Sequence, residues 1–261
     1  MQGFAELLQG AELLTDGRAV EVHESWLQGR TAYGGYTSAL ALAEAIRVGG
    51  AELPPLRSAQ FAMMAPLAGR IEVRARVQRR GRNATWIAAD ITGEKGIGFT
   101  ASFVFMSPTA NAVTIDQGGP AGTITRATDA PALVFDEAPA FVQNHFDVRT
   151  ASPDGDMPPH ELLWWARPRD YAALDPMVAL MLTADAAPPS ILLQLPQRVP
   201  ISTMHWHVNV LALSPSTEDG WWLLESSSEH ARDGLSSERM RAWNSRGESV
   251  LAELQSVAVF G

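Results

Sequence analysis

One order of elements occurs twice along this chain, and it restricts the folds open to it more than any single residue does. A helix-compatible run, GGYTSALALAEAIRV, precedes three extended segments, LRSAQFAMMA, GRIEVRARVQRRG and NATWIAADITGEKGIGFTASFVFMS. Further on, PRDYAALDPMVALMLTADA is a second helical region and ISTMHWHVNVLA a strand. GWWLLESSSEHARDGLSSERMRAWNSRGESVLAELQSVAVF supplies three more strands. In IEVRARVQ, Ile71, Val73, Ala75 and Val77 alternate with Glu72, Arg74, Arg76 and Gln78, as in a strand with one buried and one wet face. The first helix is expected from about Gly35 to Val48; Gly49-Gly50 ends it and Pro54-Pro55 forbids its continuation. Gly93 to Gly96, Asp233-Gly234 and Arg246-Gly247 read as hairpin turns.

The pattern therefore predicts two copies of a helix plus an antiparallel meander, with almost no identity between them. Neither copy covers both its helix and its sheet edges alone. Pairing the copies buries one helix against each concave sheet and continues the sheet across the middle. The expected divisions are a first unit at 1–110, a surface linker at 111–145 and a second unit at 146–261. Gly118, Gly119, Pro120, Pro131 and Pro139 break up the linker.

With a net charge of -9 and no block of basic residues, the chain lacks the positive patch that nucleic acid requires. A local pair of arginines can still meet an anionic small molecule. There is no cysteine, which removes disulfides, thiolate chemistry and Cys-based zinc sites. MQGFAELLQGAELL has no basic region before a long apolar core, and no apolar run reaches about 18 residues. A soluble, cytoplasmic protein without a membrane span is the expectation.

Several residues are candidates for chemistry. Gly34-Gly35 opens the first helix but lacks the spacing of a P-loop or a dinucleotide fingerprint. Two readings stay open: close packing at a helix start, or free N–H groups of Gly35 and Tyr36 aimed at a carbonyl or phosphate oxygen. His205 and His207 share one strand face, but no third ligand is in view, and a structural or pocket-lining role outweighs a metal site. Ser226, Ser227 and Ser228 read as cross-strand hydrogen bonding, since no GxSxG elbow is present. Asp185 closes the second helical region, where a carboxylate opposes the helix dipole. Gln255 stands in an apolar last strand and needs partners. Two polar groups in such places can share and activate one water.

GRTAYGGYTSALALAEA, LRSAQFAMMAPLAGRIEVRARVQRRGRNATWIAADI, LTADAAPPSILLQ, ISTMHWHVNV, WWLLESSSEHARDG and AELQSVAV, in that order, resemble the thioesterase-like double hotdog proteins of the bacterial acyl-CoA thioesterase II type. The resemblance implies an α+β fold of two tandem hotdog units packed as an intramolecular pseudo-dimer, and hydrolysis of an acyl-CoA without metal or cofactor. It places the water-activating aspartate at Asp185 and the glutamine at Gln255. The threonine of the set falls near Val199, with Ser202 and Thr203 a few residues on, and a shift by an odd number of residues changes the face. Gly34, Gly35, Tyr36 and Arg57 are the candidates for holding the thioester and its coenzyme A, with Arg79, Arg80 and Arg82 as further phosphate partners. The alternative is a non-catalytic double hotdog that binds an acyl or aromatic ligand. Association into a homo-oligomer is compatible with either.

Overall fold

The structure, a computed structural model, describes every residue except 1, 117, 121–122, 135–137, 153–156, 198 and 261. The first half runs α1 (Phe4–Gly10), β1 (Glu12–Leu13), β2 (Arg18–Val22), β3 (Leu27–Gln28), β4 (Thr31–Ala32), α2 (Gly34–Gly49), β5 (Leu56–Met63), β6 (Gly69–Arg80), β7 (Ala84–Gly93) and β8 (Gly96–Met106). The second runs α3 (Ala140–His145), β9 (Phe146–Thr150), β10 (Glu161–Pro168), α4 (Pro176–Ala184), β11 (Ile201–Val210), β12 (Trp222–Arg232), β13 (Leu235–Asn244) and β14 (Ser249–Val259).

Two hotdog-like units share a single antiparallel sheet of twelve strands, in the order β1-β2-β6-β7-β8-β5-β11-β14-β13-β12-β10-β9. The seam is β5 against β11, where Phe61 faces Trp206 and Ala59 faces Val208. In the same row Ala101 of β8 faces Phe61, and Gln255 of β14 faces Trp206. The two halves thus meet about this row with counterparts of different chemistry, alanine on one side and glutamine on the other.

Both central helices are apolar nearly all round, as a helix wrapped by a sheet must be. Ala39, Leu40, Ala41, Leu42 and Ala45 of α2 are buried, as is every residue of α4 from Val178 to Ala184. Asp175 caps α4 by accepting from the N–H groups of Met177 (2.9 Å) and Val178 (3.2 Å), and Pro176 fills the first helical position. Pro176 therefore starts the helix partway through the stretch expected to be helical. At the β12–β13 hairpin Asp233 (φ 53°) and Gly234 (φ 79°) are both left-handed, as a two-residue turn matching the sheet twist requires.

Two features differ from the sequence expectation. The stretch leading to residue 145 is not wholly superficial: α3 buries Phe141, Val142 and His145, with Phe141 stacked on Tyr33 (3.9 Å) and His145 stacked on Trp26 (3.6 Å). The His145 ring also shares a 2.8 Å hydrogen bond with the Ser25 hydroxyl. Strands β9 and β10 were not among the expected elements. In β10, Leu162 and Trp164 face the main core, whereas Leu163 and Trp165 pack with Trp221 and Trp243 in a second core on the other face. A strand buried on both faces does not alternate.

Candidate active site

Asp185 is the C-cap residue of α4, with φ -91° and ψ 8°. Its carboxylate escapes the unfavourable end of its own helix dipole by lying against the N-terminus of α2, where the Gly35 N–H acts to lower its pKa. The approach is close because residues 34 and 35 have no side chain. A Cβ at Gly34 would collide with Asp185 Oδ2, and one at Gly35 would come within 2.5 Å of both the Leu182 carbonyl and the Tyr33 hydroxyl. Tyr33, the N-cap residue of α2, ties the helices together by donating to the Leu182 carbonyl at 2.9 Å. Its hydroxyl is fully buried, which raises its pKa well above the ordinary value and keeps it a donor.

Gln255 bridges the second unit to this junction. Its Nε2 donates to Asp185 Oδ1 at 2.8 Å, and its Oε1 accepts from Thr203 Oγ1 at 3.3 Å. With a carboxylate on one side and a hydroxyl donor on the other, the amide has one satisfactory orientation. Thr203 reaches Gln255 through a β-bulge. On β11 the inward residues are Trp206, Val208 and Val210, so regular alternation would turn Thr203 outward with His205. The register slips between Thr203 and His205; Thr203 pairs with inward-facing Val257 while Trp206 pairs with Gln255. The extra residue, Met204, returns Thr203 to the inner face.

Asp185 and Thr203 border a cavity of about 390 Å³, within the usual range for small-molecule sites. Its walls are largely apolar, including Met63, Leu67, Phe99, Phe141, Trp164 and Leu192. Phe141 and Val142 bring α3, from the expected linker, into the wall. Burial pushes the Asp185 carboxyl up to about 7, against the lowering effect of the hydrogen bonds from Gln255 and Gly35. Asp185 is half-buried and opens on the cavity, where water can solvate its charge.

The structure gathers Asp185, Gln255, Thr203, Gly34 and Gly35 at one junction. Ser202 opens on the cavity too, but the hydroxyl bonded to Gln255 is that of Thr203. Val199 precedes β11 and lies outside this set. Gly34 lines the cavity and Gly35 does not; the Gly35 N–H acts on Asp185 instead. Tyr36 is placed elsewhere: its ring is fully buried between Phe4 (5.3 Å) and Trp26 (5.4 Å), one residue and about 100° further round the helix. Arg57 does not line the cavity; it lies at the opposite end of β5 from Met63, which does. Arg79 sits 5.9 Å from the Trp86 ring centre and Arg80 donates to the Gly49 carbonyl at the far end of α2 (2.9 Å). Neither these nor Arg82 lines the cavity. Arg30 is exposed in the turn between two lining residues, Gln28 and Thr31. Among the described residues no cluster of metal-ligating side chains occurs; His207 instead lies within 3.4 Å of Gln60 and Asn209. Ser226 and Ser228 donate to buried Glu238.

Sequence reading missed Tyr33 and a buried carboxylate, Glu253, whose Oε2 accepts from the Trp206 indole N–H at 2.8 Å. The signal for Glu253 was present: in AELQSVAV it has the same strand parity as Gln255.

Models of the acyl-CoA thioesterase N-terminal and C-terminal domains match residues 22–106 and 123–259 respectively. A hot dog fold protein of unknown function from Alicyclobacillus acidocaldarius is similar in structure, with a TM-score of 0.84, 17% identity and coverage of 100% of this chain and 99% of the other. A candidate thioesterase II from Thermobifida fusca gives a TM-score of 0.83 at 21% identity, covering 100% and 98%. An acyl-CoA thioesterase II from Mycobacterium marinum gives 0.76 at 16% identity, covering 98% of each chain. A comparison with curated proteins finds none that matches. Among the described residues no helix is long and apolar enough to cross a membrane.

Proposed function

The chain belongs to the hotdog-fold acyl-CoA thioesterase family, and from that premise we propose that it hydrolyses acyl-CoA thioesters by attack of an activated water. The observation that carries this reading is the Thr203–Gln255–Asp185 hydrogen-bonded chain at the wall of an apolar cavity. The Thr203 proton is committed to Gln255, so the hydroxyl oxygen accepts from the water. Asp185 accepts the other water proton. That leaves a lone pair of the water free to attack the thioester carbon, with Asp185 as general base.

As the carbon–oxygen bond forms, the water proton passes to Asp185 and the carbonyl oxygen becomes an oxyanion. Gly34 lines the cavity, and its N–H, at the first position of α2, has no intrahelical acceptor; it is the donor proposed for that oxyanion. Collapse breaks the carbon–sulfur bond, and Asp185 returns its proton to the leaving thiolate. The products are a carboxylic acid and coenzyme A. The apolar walls hold the acyl group, and the thiol side extends toward the Arg30 turn.

The test is steady-state hydrolysis of short, medium, long and aromatic acyl-CoAs, with detection of the released thiol. At least one class should turn over, and Asp185→Asn should lower kcat by about 10²- to 10⁴-fold, the usual worth of a positioned base. Saturable binding of these thioesters without thiol release would overturn the reading and assign the cavity to ligand storage.

A further inference from the structure

Four glutamates are buried among the described residues, and three are met by donors able to hold a negative charge. Glu44 pairs with Arg18 (3.2 Å) and Arg47 (2.5 Å), and Glu225 with Arg239 (2.5 Å). Glu238 accepts from the hydroxyls of Ser190, Ser226, Ser228 and Ser236 and from the Ser190 N–H. Glu253 is different. Its Oε2 has one neutral donor, the Trp206 indole, and its Oε1 is buried with no hydrogen-bond partner.

The surroundings offer no other support for a charge. Across the sheet Glu253 faces Val208 on β11 and Met240 on β13. The titratable groups that act on it or feel it are Asp185, at the end of α4, and the Tyr33 hydroxyl, at the start of α2. Asp185 has the Gln255 amide, the Gly35 N–H and the cavity to stabilise its charge; Glu253 has none of these. The Asp185 charge makes a second charge on Glu253 more costly, and the less solvated carboxyl keeps its proton.

We infer that Glu253 is a positioning residue of the proposed hydrolytic site: it keeps its proton, leaving the charge on Asp185, and fixes Trp206 opposite Gln255. Burial foremost, with the Asp185 charge adding to it, pushes the Glu253 carboxyl up to about 8, while the Trp206 hydrogen bond lowers it. The rate consequences rest on the hydrolytic reading. The placement of the proton does not.

Two substitutions test the inference. Glu253→Gln copies the size and acceptor of the neutral acid. It should keep kcat at pH 7 within about threefold of wild type and leave the acid limb of kcat/KM where it was, since an uncharged neighbour exerts no repulsion. Glu253→Met keeps the length but strands the Trp206 N–H, and should lower kcat about tenfold with KM little changed. If the acid limb falls by a unit or more in Glu253→Gln, or if Glu253→Met retains full kcat, the inference is overturned.

Urea unfolding supplies the arm that needs no activity. A carboxyl with a raised folded pKa gives stability that is complete below its unfolded pKa of 4.5 and is lost as pH rises toward about 8. The midpoint of wild type should therefore fall relative to that of Glu253→Gln between pH 5 and pH 8. A constant gap would place the charge on Glu253 and overturn the inference. Failure of all acyl-CoAs to react, with this gap widening as expected, would refute the hydrolytic reading alone.

Discussion

Asp185→Asn should make the protein more stable as pH rises while making it inactive, and the size of the effect follows from where the carboxylate sits. Its pKa moves from 3.8 to about 7 on folding, a little over three units. At about 1.4 kcal/mol per unit, burying the ionised form costs about 4 kcal/mol. Part of the carboxylate faces the cavity, and water there about halves the penalty, to ~2 kcal/mol. Asparagine gives up some hydrogen bonding to Gln255 or Gly35, worth ~1 kcal/mol. The net gain above pH 7 is then on the order of 1 kcal/mol.

The sign depends on pH. A raised folded pKa means that the carboxyl's contribution is intact below about pH 4 and is lost as pH climbs through about 7. Asparagine has no such loss. Urea midpoints at pH 4, 5, 6 and 8 should show the variant level with or slightly below wild type at the acid end and above it at pH 8. Titrating groups that do not touch Asp185 cancel in the difference. A gap independent of pH would refute the claim that this carboxylate is charged at a desolvation cost, and with it the reason for a base poised near neutrality.

Other consequences concern the same junction. Thr203→Val removes the donor to Gln255 at nearly constant volume; kcat should fall at least tenfold and Thr203→Ser should restore most of it, whereas equal rates for valine and serine would remove the hydroxyl from the proposed mechanism. Gly34→Ala sets a methyl against Asp185 Oδ2 and 3.0 Å from Met63 Cε, so kcat should drop at least a hundredfold with about 1–3 kcal/mol of stability lost to overpacking. Gly119→Ala, with nothing within 4 Å of the added carbon, is the control and should match wild type. Arg30→Glu should raise KM for acyl-CoA at low salt and leave an acyl-pantetheine thioester, which lacks the nucleotide phosphates, unchanged; equal effects on both would exclude phosphate recognition there.

The twofold order of helix and meander was legible because it rests on local signals: strict alternation in β6, glycine turns at hairpins and proline after α2. Strand β10 was not legible, because Trp164 and Trp165 face two different cores and leave no periodicity. Thr203 was obscured for a related reason. Counting by twos along β11 turns it outward, and only the bulge at Met204 returns it to the face of Gln255. Phe141, in a stretch broken by proline, gave no sign that it would help enclose the cavity.

What the sequence determined by itself is the repeated architecture, together with the presence of an aspartate at a helix end and a glutamine in an apolar strand. Both are set by nearest-neighbour stereochemistry and by the spacing of apolar residues. Tertiary structure decided what those two polar groups do. Asp185 meets the N-terminus of a helix that begins some 150 residues earlier, through a gap that two glycines leave open, and Gln255 finds its hydroxyl across a strand pair whose register has slipped. Such partnerships depend on how separate elements pack, and a hydrogen bond between distant residues leaves no period along the chain.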